Sequence, residues 1–162
     1  MAENRDIASS VIFELRADRF ETRSKTVIQN MGKLVALGYR FSIDQVSTLN
    51  LDLPRLQAGG VRFVKFSGAA LVEQLRDPMG SRPISSINRP LNGDEVPSVF
   101  RRYDITLIAE KMEDEASVVE VLEYQIPYGQ GHVFGSPRPI KSTLSDETQP
   151  PPELLRRLAK IT

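Results

Sequence analysis

Five polar residues each sit beside a short apolar run: Glu14 after 11–13, Asp44 after 41–43, Lys65 after 61–64, Glu110 after 105–109, and Gln130 ahead of 131–135. Three carboxylates, one ammonium and one amide are groups that exchange protons, pair with charges and hold hydrogen-bonding ligands. Scattered over the chain they would do nothing together. Gathered at one place they would form a mouth of net charge about −2, with polar groups of both signs within reach of a ligand.

What could gather them is the pattern between them. Amphipathic stretches separate the apolar runs, so the chain reads strand, helix, strand, helix, with a chemically capable side chain at the carboxyl end of strand after strand. In a (β/α) barrel the strand tops open onto one rim, and the strand-to-helix loops build the site there. Strands are expected at 11–16, 40–44, 61–66, 105–110 and near 130–134. Helices are expected at 19–37, 53–58, 68–76, 94–103 and 114–124. Val27, Ile28, Met31, Leu34 and Val35 mark the first helix, and Met112 with the 118–122 stripe reads as core. The segment 77–94 is rich in turn formers and reads as a long loop, whose part 82–90 could serve as a spacer or dock a phosphate or partner. Residues 142–152 read as a proline-containing linker, and Leu154, Leu155, Leu158 and Ile161 outline a closing amphipathic helix, which divides the chain into 1–141 and 142–162.

Composition narrows the function. The chain has 162 residues, 21 basic and 21 acidic side chains, and no cysteine. Balanced charge gives no field for a nucleic-acid polymer or an anionic membrane. The absence of cysteine removes disulfides, thiol nucleophiles and cysteine zinc sites. No apolar run approaches the roughly 20 residues that span a bilayer, and the first residues lack the pattern of a signal peptide, so a cytoplasmic location is expected. Because a helix lies in every passage between strands, the sheet is expected to be parallel. Five strands do not close an eight-stranded barrel, so the fold is expected to be a (β/α) barrel incomplete at its amino end, with a protein partner or a second copy over the open edge.

Taken singly, each residue has an ordinary reading. Glu14, Asp44 or Glu110 could be a helix cap or a solvated surface group, Lys65 could snorkel from an edge strand, and Gln130 with Gly131 could be turn chemistry. His132, the single histidine, reads as structural. Arg16 shares strand parity with Glu14, so its guanidinium could neutralise Glu14 or clasp a phosphate; it could equally pair with Asp18. Arg138, after the turn at the mouth, is a second candidate for an anion.

Several blocks together resemble a family. The stretches at 13–17 (FELRA), 42–47 (SIDQVS), 63–67 (FVKFS), 108–113 (IAEKME) and 129–137 (GQGHVFGSP) are similar, in order, to the FELTE, DDFG, KID, AEGVE and QGYxxGxP blocks of EAL domains, the cyclic-di-GMP phosphodiesterases. The first third of the family barrel, including the glutamate of the EAL motif, has no counterpart. The resemblance implies a TIM-like barrel and makes Glu14, Asp44 and Glu110 positions of metal ligands. It places Lys65 by the attacked phosphate or water and makes Gln130 a polar group of the site. It departs at Ala17, Gln45, Ser47 and Ser67, which replace a glutamate, an aspartate, a glycine and an aspartate. Two divalent cations need more charged oxygens than three carboxylates provide.

The expectation is therefore a non-catalytic EAL-like module of bacteria, a cyclic-di-GMP receptor or signal-transmitting domain. Arg16, Lys65, Gln130 and Arg138 are the candidate nucleotide contacts, and no cofactor is expected. A structural interaction domain that binds no nucleotide is the first alternative. A phosphodiesterase using magnesium or manganese, completed by missing N-terminal strands, is the second. The segment 129–138 also resembles alphaproteobacterial receptors of flagellum assembly. The family dimerises partly through the loop after its DDFG block, and that loop, 46–50, has lost the family's glycines here.

Overall fold

The computed structural model describes residues 7–76 and 91–136. Its centre is a five-stranded sheet in sequential order: β1 (Ile12–Arg16), β2 (Arg40–Val46), β3 (Val61–Ser67), β4 (Thr106–Glu110) and β5 (Tyr128–Gly129). All four strand pairings are parallel. Between them run α1 (Ala17–Glu21) and α2 (Lys25–Ala36), α3 (Leu53–Ala58), α4 (Gly68–Arg76), α5 (Val96–Arg102) and α6 (Glu115–Glu123). The α/β fold with a parallel sheet and crossover helices is that expected.

Local chemistry sets the boundaries. The single helix expected over 19–37 is two helices, because α1 stops at Thr22 and Ser24 then caps α2 by accepting from the Val27 backbone N–H. Asp52 caps α3, accepting from the Arg55 N–H at 3.0 Å, and Asp114 caps α6, accepting from the Ser117 N–H at 2.8 Å. The fifth strand is shorter and earlier than expected. It covers only Tyr128–Gly129, and His132–Phe134 forms a 3-10 turn instead. Just past the strand, at Gly131, the backbone passes so close to Met112 that an added Cβ would lie 2.1 Å from the Met112 carbonyl oxygen. The linker and closing helix expected at 142–162 lie outside the described residues, as do Arg138 and the loop segment 82–90.

Alternation along the strands sorts the side chains by face. Phe41, Ile43, Val64, Phe66, Leu107 and Ala109 are buried under the helices, packed with Phe20, Leu53, Leu71 and Phe100. Burial of each such large side chain contributes roughly 1.5–3 kcal/mol against exposure. Two expected core stripes are only partly core. Val121 is buried, but Val119 and Leu122 on α6 are exposed; Met31 is buried, but Val27 and Ile28 on α2 are exposed. These two helices connect the strand pairs at the two ends of the sheet, β1–β2 and β4–β5.

Gly60, in the turn from α3 to β3, is left-handed (φ +78°), and a Cβ there would fall 2.3 Å from Val35 Cγ2 on α2. Its carbonyl also accepts the Phe41 N–H at 3.0 Å, tying the turn to β2. Gly60→Ala should therefore lower stability by about 1–3 kcal/mol. Chemical denaturation with an unchanged slope is the measurement, and wild-type stability would contradict the packing.

Candidate functional site

The face of the sheet opposite the helices is a trough of about 510 Å³. Ile12, Phe63, Ile108 and Tyr128 form its apolar floor, with the Phe63 and Tyr128 rings edge to face at 6.2 Å. Glu14, Ser42, Lys65 and Gln130 are the polar side chains on it. The strands that carry them are parallel, so the groups that end strands lie together at the trough's upper rim.

Two pairs organise that rim. Lys65 on β3 makes an ion pair with Glu14 on β1. The Lys65 side chain is only 15% exposed, so the partner carboxylate offsets much of the cost of covering the ammonium. The bridge crosses β2, where Ser42, in register with Glu14, is buried with an Oγ that has no hydrogen-bond partner.

The second pair is Asp44 with Glu110. The β2–β3 ladder shifts register between Ile43 and Val46, and Gln45 is left-handed (φ +57°). Asp44 thus leaves the ladder at a bulge, with Oδ1 accepting its neighbour's N–H at 2.7 Å. Glu110 is 9% exposed, and its carboxyl is pushed above the usual range, first by burial and then by hydrogen bonding and repulsion from Asp44. Lys111 and Lys65 oppose that shift to a smaller extent.

Gln130 joins the two regions. It lines the trough and also a mouth cavity of about 370 Å³ with Glu110, Lys111, Glu113 and His132. Its backbone N–H donates to Ala109 O at 2.8 Å and its carbonyl accepts the Met112 N–H at 3.1 Å. Arg16 is placed differently from the first of its two readings. Its guanidinium turns to Asp18, with Nε–Oδ1 at 3.1 Å, and holds that carboxyl below its usual range; Lys65 is what meets Glu14. The geometric reason is local: Asp18 lies two residues on, in the first turn of α1, within easy reach of an exposed side chain.

Three features escaped the sequence reading. The orphaned Ser42 hydroxyl depends on tertiary burial. The contact of His132 Nδ1 with Glu113 at 3.4 Å joins residues 19 apart. Lys111, left-handed at φ +59°, has its ammonium 3.8 Å from Glu110 Oε1, and a signal for it existed: it stands where the AEGVE block has glycine.

The chemistry of this donor set is limited. Among the described residues no three His, Cys, Asp or Glu side chains are grouped so as to hold a metal ion. Glu14 is committed to Lys65, leaving Asp44 and Glu110 as the carboxylates that meet. A two-cation centre, with its several oxygen ligands, does not fit these side chains. What the rim can do is present ammonium, amide and carboxyl groups to a polar ligand over an apolar floor.

A family model described as "EAL domain" matches residues 1–137. The structure of the EAL enzyme Bd1971 with cAMP and cyclic-di-GMP bound is similar, with TM-score 0.60 and 21% identity over 85% of this chain and 34% of that one. The PaMucR phosphodiesterase in its c-di-GMP complex has TM-score 0.56 and 18% identity over 84% and 51%. YkuI of Bacillus subtilis, a protein with an EAL domain in complex with substrate c-di-GMP and calcium, has TM-score 0.54 and 13% identity over 86% and 32%. The chain thus spans about a third to a half of the length of these structures. The search of curated proteins gives no match.

Two outcomes test the rim. Ser42→Ala removes an unpaired buried hydroxyl and should leave stability unchanged or raise it by up to about 1 kcal/mol; a loss larger than that would reveal a partner for Oγ. Because Glu110 holds its proton more tightly folded than unfolded, its contribution is favourable in acid and is lost as pH rises from the ordinary carboxylate value through the raised one. Glu110→Gln should therefore melt higher than wild type at pH 7, with the gain vanishing as pH falls to the ordinary carboxylate range. A gain independent of pH would contradict the assignment.

Proposed function

We propose that this chain, which belongs to the EAL domain family, is a non-catalytic cyclic-di-GMP receptor or signal-transmitting module rather than a phosphodiesterase. The observation that carries this reading is the Glu14–Lys65 ion pair. In catalytic members the FELTE glutamate would serve a cation and the KID lysine would face the phosphate; here each neutralises the other.

The departures point the same way. Ala17, Gln45 and Ser67 each remove a carboxylate, and hard divalent cations are held chiefly by charged oxygens. Among the described residues no three acidic or histidine side chains are grouped to hold a metal ion, so activation of a water between two metals lacks its ligands. Binding needs less than catalysis. A phosphodiester oxygen that displaces Glu14 from Lys65 exchanges one anion for another, and the Gln130 amide stands on the same trough to donate a hydrogen bond. Cyclic-di-GMP is the ligand of choice because Bd1971, PaMucR and YkuI are described with it bound.

The setting we assign is the bacterial cytoplasm, and no helix among the described residues is long and apolar enough to cross a membrane. The 129–138 segment supports placing the module among receptors of flagellum assembly. A specific observation also favours contact with a protein: Val27, Ile28, Val119 and Leu122 expose apolar surface at both ends of the sheet. A partner or second copy there would serve signal transmission, and it would serve equally a domain that binds no nucleotide.

Thermal melting and product analysis on one preparation separate these readings. Cyclic-di-GMP at 100 times its dissociation constant should stabilise the fold by about 2.7 kcal/mol, and no linear dinucleotide should form with magnesium or manganese. Absence of any thermal shift would favour the interaction domain, and product formation would restore the enzyme.

A further inference from the structure

We infer that Lys111 is a built-in cation of the mouth, set against the Asp44–Glu110 carboxyl pair, and that it makes the site bind anionic phosphodiester without a divalent metal and disfavours metal binding. The phosphodiester part rests on the receptor reading above. The metal part does not.

The backbone supplies the first argument. Lys111 is left-handed (φ +59°), a conformation that costs a non-glycine residue free energy and persists where the surroundings dictate it. They do so here on both sides. The Ala109 carbonyl accepts from Gln130 N–H at 2.8 Å, the Met112 N–H donates to Gln130 O at 3.1 Å, and the Met112 carbonyl accepts from Val133 N–H at 3.1 Å. Met112 itself is 1% exposed. The turn is thus fixed by its neighbours, and the family's AEGVE block meets it with glycine. A lysine at this position keeps the strain and adds an ammonium.

Where that ammonium goes is the second argument. Nζ lies 3.8 Å from Glu110 Oε1, and the side chain lines the mouth cavity with Glu113, Gln130 and His132. Asp44 also acts on the Glu110 carboxyl, by hydrogen bonding and by charge repulsion, so an ammonium beside Glu110 meets a second acidic group nearby. A divalent cation would seek the same oxygens, and a resident positive charge beside them weakens its attraction. The Lys111 side chain is 67% exposed, so its donors remain open to a ligand. Lys65, by contrast, is held by Glu14. Lys111 is therefore the ammonium at the rim that meets an incoming phosphate without first giving up a bridge across the sheet.

Calorimetry on the full chain tests both parts. Manganese alone should bind wild type only weakly, whereas Lys111→Gly, which relieves the left-handed strain and so should fold, should bind it at least about tenfold more tightly. Lys111→Arg, retaining the charge, should behave as wild type. In EDTA, cyclic-di-GMP affinity should fall at least about tenfold in Lys111→Gly and stay near wild type in Lys111→Arg. Equal manganese binding by wild type and Lys111→Gly would overturn the inference whatever the nucleotide does. If cyclic-di-GMP binds neither protein while manganese binding still follows residue 111, the receptor reading fails and the metal-excluding role of Lys111 stands.

Discussion

Parallel pairing through four successive strand contacts obliges every strand to finish on the same side of the sheet. Residues at or near the strand ends are thereby delivered to one trough, although Glu14 and Gln130 are more than a hundred residues apart. The helices, needed to return the chain to the far end of the next strand, occupy the opposite face and supply its apolar cover. Segregation of chemistry from packing follows: Val64 and Phe66 are wholly buried beneath helices, while Lys65 between them reaches the trough.

Charge balance at the rim is the second organising fact. Carboxylates on one face of a sheet are costly unless something positive or a proton offsets them. Here the offsets are internal: Lys65 for Glu14, and Lys111 with an elevated proton affinity for Glu110 beside Asp44. The bulge at Gln45 bears on the same balance, since it releases Asp44 from the β2–β3 ladder while its pairing with Arg16 on β1 persists.

Much of this was legible in the amino-acid order. Apolar runs of period two alternating with stretches of period three to four placed β1 to β4 and the helices α3 and α4 to within a residue or two, because those signals are repeated over many side chains. That Glu14, Lys65 and Gln130 share one trough, and Glu110 and Gln130 its mouth, followed from topology. Who pairs with whom did not. Strand parity alone gave Arg16 to Glu14 or to Asp18, and rotamer reach decided for Asp18. The break between α1 and α2 rests on one capping serine, and β5 is only two residues long, features too local for periodicity to register. Exposure of Val119 and Leu122 was invisible for the opposite reason: an apolar stripe announces that it wants cover and says nothing about whether the chain itself provides it.

Sequential strand order has a consequence for biosynthesis. Every strand pairs with the one made just before it, across about 20 residues from Phe41 to Val61 and about 43 from Phe63 to Thr106, so loop closure never waits for a distant segment. Each β-strand and its helix can dock on the preceding unit as the ribosome releases it, and the fold can grow vectorially, by accretion at one end.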